Sequence, residues 1–274
     1  MDAGDAPPEC RVHPSVLYLL GTLLLTSCST ALLCAAIMTE HWEHVGWERA
    51  ALAARANATG TRLQWLLDEK VAKIEDGSRR NGGGTFLVPM NGGIWTMCVS
   101  LDEEELSMLV RAGFPMQPAC TNYLASSDYE EPRADWQHRM QNLSISCALV
   151  CLIVLGSAAL VGTFGVCKHQ ISAVLVTGVM YLLAGTFALF TLMIIHFKRI
   201  QRVSTRGSPT GDDTGDGVIG PRAPAMALLS AREFSTSWSL DLGWGGVALA
   251  TMTSLLWILL SKIMRYNPIS SMLL

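Results

Sequence analysis

Charge is nearly missing from four long stretches of this chain, residues 16–38, 145–166, 171–197 and 242–263. Lys262, beside the end of the last, is the single Asp, Glu, Lys or Arg among them. Each stretch reaches the roughly 20 apolar residues that a helix needs to cross hydrocarbon while satisfying every backbone polar group internally. The whole chain is poor in charge as well: 16% of residues are charged against 50% hydrophobic, and mean hydropathy is +0.32. That balance excludes an ordinary soluble domain and predicts a membrane α-helical protein, a four-transmembrane-helix bundle. The sequence also lacks intramembrane charge to relay an ion, a nucleotide-binding loop and a cytosolic domain, so neither transporter nor enzyme is supported. Asp135 and His138 stand one helical turn apart with no nucleophile beside them, which is not a catalytic constellation. No catalytic residue, cofactor, metal or nucleic-acid partner is expected.

Four spans place both termini on one side. The segments are then 1–15, a cytosolic N-terminus; 39–144, a first extracellular loop; 167–170, a cytosolic turn; 198–241, a second extracellular loop; and 264–274, a short cytosolic tail. The first span is longer than the 7–15-residue apolar core of a signal peptide and has no strong basic lead, so it reads as an anchor that is retained. The positive-inside rule conflicts with this orientation, because Lys198, Arg199, Arg202 and Arg206 fall outside against Arg11, Lys168, Lys262 and Arg265 inside. The content of the long loop outweighs it: a sequon at Asn57-Ala58-Thr59 and a separated cysteine pair suit an oxidising compartment. A second sequon, Asn142-Leu143-Ser144, abuts the membrane. Asn57 is expected to carry a glycan and Asn142 to stay bare.

The eight cysteines divide by compartment. Cys28, Cys34, Cys147 and Cys151 fall in spans, where free cysteine is a small apolar packing residue. Cys10 and Cys167 flank the membrane on the cytosolic side and are candidates for palmitoylation. Cys98 and Cys120 alone lie in the large loop, so they pair with each other or with nothing.

Within that loop, Leu63, Leu66, Leu67, Val71 and Ile74 recur at helical spacing opposite Asp68, Glu69, Lys70 and Lys73, which predicts an amphipathic helix over 62–74. The glycine-rich stretch 77–84 reads as a flexible turn. Residues 85–88 and 94–101 have strand-like composition around Gly92-Gly93, glycines that allow close backbone approach for packing of Trp95. Asp102-Glu103-Glu104-Glu105 reads as a solvated acidic face, or as a lure for cations at a channel mouth. In the second loop, 204–209 and 212–217 are rich in Gly, Asp, Ser and Pro and are expected to be disordered.

Four short elements occur in a fixed order: Thr39-Glu40-His41-Trp42 after the first span, Gly93-Ile94-Trp95 followed by Cys98, Cys120-Thr121-Asn122-Tyr123, and Ser237-Trp238-Ser239-Leu240 before the fourth span. With the four spans and the lengths of their connections, they resemble the claudin-like superfamily. Within it they are most similar to the voltage-gated calcium channel gamma subunits of the skeletal-muscle type branch, which have similar Glu-His-Trp and Ser-Trp-Ser elements. The resemblance rests on Trp42, Gly93, Ile94, Trp95, Cys98 and Cys120, and it covers most of the chain. Three departures stand out: Ile94 takes the place of a leucine, 85–91 lacks the further cysteine that the family often has, and 45–84 does not align.

The resemblance implies a small extracellular antiparallel β-sheet, built from the first loop and one strand near 234–239, with Trp42 and Trp95 packed under it. It further implies an auxiliary subunit at the plasma membrane, docking beside the voltage sensor of a calcium channel's pore-forming subunit and shifting its gating by preferring one state. A preference of about 1.4 kcal/mol would change the ratio of states tenfold. Two other roles occur in the superfamily: an auxiliary subunit of glutamate receptors, against which the short tail speaks, and a claudin-like junction adhesion protein, which would have a much shorter first loop. Ser27, Ala31 and Ala35 form a small-residue stripe suited to close helix packing, within the bundle or against a channel helix. Glu40, His41 and His44 lack a fourth ligand for zinc; His41, Trp42 and Trp47 read instead as an interfacial anchor. The terminal Met272-Leu273-Leu274 weakly fits a PDZ ligand.

Overall fold

The computed structural model describes residues 14–75, 84–115, 120–123, 135–204, 216–220 and 224–266, without the side chains of 135–138 and 201–204. Cys10, the segment 205–215 and the tail at 272–274 lie outside the described residues. In chain order the elements are α1 (Pro14–Met38), β1 (Glu43–Trp47), α2 (Arg49–Thr59), β2 (Leu63–Leu66), β3 (Val71–Ile74), β4 (Thr85–Leu87), β5 (Met90–Gly92), β6 (Thr96–Val99), α3 (Glu103–Arg111), β7 (Cys120–Asn122), α4 (Asp135–Cys167), α5 (Ile171–Ser204), β8 (Val218–Ile219), α6 (Met226–Leu229), β9 (Arg232–Thr236) and α7 (Trp238–Tyr266). Four of the helices are long and apolar enough to cross a membrane: Pro14–Met38, Arg139–Cys167, Ile171–Ile200 and Trp238–Tyr266. Each contains one of the four charge-poor stretches.

The chain divides into two compact units. The first comprises the described residues up to 33, with 150–188 and 245–266. Between helices in hydrocarbon there is no hydrophobic drive, so close packing and side-chain hydrogen bonds must hold them. The Tyr18 hydroxyl donates to the Leu256 carbonyl at 3.0 Å, Trp257 Nε1 donates to Thr26 Oγ1 at 2.9 Å, and the Thr30 and Tyr181 hydroxyls lie 2.9 Å apart. Helices α1, α5 and α7 are thereby tied together. Gly178 sets the approach of α5 to α7, because a Cβ there would lie 3.1 Å from the Ser254 carbonyl oxygen and 3.0 Å from Ile258. Cys151 is buried and its thiol reaches the Ala184 carbonyl at 3.4 Å, which agrees with a packing role; Cys28, by contrast, is exposed.

The second unit comprises residues 34–149 and 189–244. It carries two antiparallel sheets. One has five strands in the order β7-β6-β5-β1-β9, four of them from the first long loop and one from 232–236. This is the sheet that the resemblance implied, with its last strand beginning two residues earlier. The other has four strands in the order β2-β3-β4-β8 and was not foreseen. Val45, Met90 and Met97 of the first sheet pack with Val71 and Phe86 of the second, joined by Leu109 and Phe114 from α3 and the turn after it. Ala72 and Leu87 pack oppositely, with Leu52 and Ala56 of α2 and Leu228 of α6.

The amphipathic helix expected over 62–74 is a β-hairpin. Leu63 pairs with Ile74 and Leu66 with Val71, while Leu67, Asp68 and Glu69 turn the chain at φ of 52°, 50° and 67°. Ion pairs clamp the turn from outside: Glu69 with Arg49, and Lys70 with Glu105. The Glu105 hydrogen bond raises the Lys70 pKa, and the reciprocal bond lowers that of Glu105. Apolar spacing is ambiguous here because β3 and β4 are covered on both faces, so adjacent residues such as Val71-Ala72 and Phe86-Leu87 are all buried. Such strands show no alternation.

The acidic run also has a structural use. Asp102 is the N-cap of α3, and the Glu105 carboxylate returns to accept the Asp102 backbone N–H at 3.2 Å in a capping box. Glu103, Glu104 and Glu105 sit in the first turn, where the helix dipole favours negative charge. At the other end Lys73 Nζ donates to the Ala112 carbonyl at 2.8 Å. The second loop is ordered at its end: Val218-Ile219 pairs with β4, and Arg232 Nη1 donates to the Asp216 carbonyl at 2.6 Å.

Candidate functional site

A helix leaves its last four carbonyls without partners. At the end of α1 the motif residues supply them. The Ala35 carbonyl accepts the Thr39 hydroxyl at 2.8 Å, the Ala36 carbonyl accepts Trp42 Nε1 at 2.7 Å, and the Ile37 carbonyl accepts Trp95 Nε1 at 2.7 Å. Two indoles separated by more than fifty residues thus finish one helix. Trp42 is 4% exposed, so it is a buried post; the interfacial-anchor reading does not hold for it. Trp47 is also engaged elsewhere, its Nε1 donating to the Val88 carbonyl at 3.2 Å. Trp238 is exposed instead, and His41 faces its ring at 5.2 Å between centroids.

Gly93 makes the arrangement possible. It opens the turn between β5 and β6, where its N–H donates to the Thr96 carbonyl at 2.7 Å. A Cβ on Gly93 would lie 2.8 Å from Glu40 Cα and 3.1 Å from the Thr39 carbonyl oxygen, so only glycine lets this turn touch the end of α1. Gly92 has ordinary room, and of the two glycines only Gly93 is required. Ile94, at the tip, is 1% exposed. Its carbonyl accepts Gln141 Nε2 of α4 at 2.7 Å, and Gln141 Oε1 in turn accepts Lys198 Nζ of α5 at 2.8 Å. Thr39 and Ser239 hydroxyls, 2.8 Å apart, add the start of α7. Sequence reading missed Gln141, Lys198 and Ser239 in these roles; the one available signal was polarity placed right at the ends of apolar runs.

Cys98 and Cys120 are disulfide-bonded and stand directly opposite one another in β6 and β7. Glu40 stands beside the bridge. It forms with Cys98 and Cys120 the one cluster of three potential metal ligands among the described residues, and both sulfurs are already bonded to each other. His44 does not join it, since its Nδ1 lies 2.8 Å from Asn91 Oδ1. Glu40, His41 and His44 therefore do not converge on a zinc site. Asn57 is exposed in the last turn of α2, and Asn142 is exposed on α4 within the candidate span.

The small-residue stripe faces away from the bundle. Ser27, Ala31 and Ala35 are all exposed on α1, in line with the exposed Leu20 and Leu24. The buried face of α1 is instead formed by Thr22, Ser29, Leu33, Ala36 and Ile37. Packing inside the bundle, the first of the two readings, is not what the stripe does.

By the length and composition of its four helices the chain is a multi-pass membrane protein, with a disulfide-braced unit of two small antiparallel sheets. The sequence matches no protein-family model and no curated protein.

Proposed function

We propose that this protein is an auxiliary regulatory subunit of a voltage-gated calcium channel, with the claudin-like fold, seated in the plasma membrane with both termini in the cytosol and 39–144 and 198–241 outside. The observation that carries the reading is the exposed stripe Ser27, Ala31 and Ala35. A helix face of large leucines that narrows to small residues is a groove for another helix, and no helix among the described residues fills it. The residues of the gamma-subunit resemblance support the same reading: Trp42, Gly93 and Trp95 meet at the end of α1, and Cys98 and Cys120 brace the neighbouring sheet. A subunit of this kind acts by binding one state of the pore more tightly than another.

Co-expression with a high-voltage-activated pore subunit is expected to shift the voltage dependence of inactivation or to lower current amplitude, with no conductance of its own. Ala31→Leu fills the groove and should weaken that modulation while surface expression stays intact. Unchanged calcium currents together with sealed contacts between transfected cells would favour the adhesion role instead. Modulation of glutamate-receptor currents alone would favour the other auxiliary role.

Orientation has its own test. Deglycosylation should increase gel mobility for the wild type and have no effect on Asn57→Gln, which identifies the loop at 39–144 as lumenal during synthesis. Glycosylation at a sequon inserted into 167–170 would reverse the assignment.

A further inference from the structure

Within the second unit, the ends of α4 and α5 and the tip of the β5–β6 turn enclose a narrow cleft lined by Trp42, Ile94, Gln141, Ser144, Ile194 and Lys198, with Glu43, His196 and Arg199 also on its wall. Ser144 is 2% exposed, yet its Oγ has no hydrogen-bond partner among the described residues. This is unusual for a helical serine, which ordinarily back-bonds to the carbonyl four residues earlier, as Ser146 does to Asn142 at 2.8 Å and Ser157 to Ile153 at 2.8 Å. A buried hydroxyl without a partner has given up its hydrogen bond to water, and a polar atom of a ligand in the cleft would restore one.

The wall has a direction. Along α5, Ile194 and Ile195 precede Lys198 and Arg199 by one turn, and along α4, Gln141 precedes Ser144. The candidate spans begin at Arg139 on α4 and end at Ile200 on α5. Moving into the span, the cleft therefore runs from cations through an amide and a hydroxyl to aliphatic side chains. We infer that the cleft binds a glycerophospholipid: the phosphate at Lys198 and Arg199, an ester carbonyl at the Ser144 hydroxyl, and the start of an acyl chain along Ile194 and Ile195. A free anion would match the cations and leave the apolar floor unused. Glu43 shares the wall, so the lining is not a simple anion trap and suits a headgroup that carries an ammonium beside its phosphate.

The test uses the full chain, purified in detergent and stripped of lipid, with binding read by native mass spectrometry and by the shift in unfolding temperature. Dioleoylphosphatidylcholine in mixed micelles should be retained and should raise the unfolding temperature. Dioleoylglycerol, which lacks the phosphate, and inorganic phosphate, which lacks the chains, should do neither. Arg199→Gln should lower affinity for the phospholipid about tenfold, the loss of one charge-assisted contact. Ser144→Leu should abolish binding by filling the cleft, and Ser144→Ala should weaken it. Arg139→Gln, on an exposed arginine of α4 outside the cleft lining, should leave affinity unchanged. Equal stabilisation by dioleoylglycerol or by phosphate alone overturns the proposal, as does phospholipid binding indifferent to both Arg199→Gln and Ser144→Ala. None of these readings depends on a channel partner.

Discussion

Trp42→Ala is expected to destabilise the protein by about 3–5 kcal/mol, the usual cost of deleting a buried tryptophan side chain. The indole is 4% exposed and packs beside Gly243 at the start of α7, where a Cβ would come within 3.4 Å of it. Removing it also takes the donor from the Ala36 carbonyl. Trp42→Phe separates the two losses, since it keeps most of the packing and drops the hydrogen bond, for about 1 kcal/mol. Thermal unfolding of the purified protein in detergent should therefore rank wild type above Trp42→Phe and Trp42→Phe well above Trp42→Ala. Equal midpoints for the two variants would mean that the capping bond, and not the ring, carries the effect. A wild-type midpoint for Trp42→Ala would remove the helix-end post from the account.

The second large effect concerns the bridge. Cys98→Ser should cost about 2–5 kcal/mol, the range for a native disulfide in a small oxidised domain. Its sequence separation of 22 residues gives about 3 kcal/mol from chain entropy. The loss should be concentrated in β7. That strand has three residues, all exposed, at the edge of the sheet, so it contributes no buried side chain and is attached through its ladder to β6 and the bridge. Hydrogen exchange should show the amides of 120–123 losing protection in Cys98→Ser before those of β1 and β5. Uniform loss across the sheet would mean that the bridge supports the whole unit. Recovery of Cys98 and Cys120 as alkylated free thiols from the wild type under non-reducing conditions would contradict the bond itself.

The helix expected over 62–74 rested on Leu63, Leu66, Leu67, Val71 and Ile74, whose spacing fits one helical face. In the folded chain the same residues lie on two strands and the turn between them. The turn uses three consecutive non-glycine residues in the left-handed region, and no local preference announces that. It is held by Arg49 and Glu105, distant in sequence. The acidic run at 102–105 reads in sequence as a solvated face or a lure for cations because only its charges are visible there, whereas its capping role depends on where α3 begins.

The sequence by itself determined the four spans and the one cysteine pair of the large loop. Both are local or exhaustive properties: a span is a contiguous run of largely apolar residues, and two cysteines in one loop leave one possible pairing. It also marked Trp42, Gly93 and Trp95 as belonging together, without indicating why. Only the tertiary structure decided that the two indoles close the end of α1, that Gly93 is required by contact with residues 39 and 40, that the second sheet exists, and that Ser27, Ala31 and Ala35 face outward. The physical reason is the same in each case. These features are pairings between segments far apart in the chain, whose energies depend on which faces are covered, and coverage is settled only when the partners have been brought together.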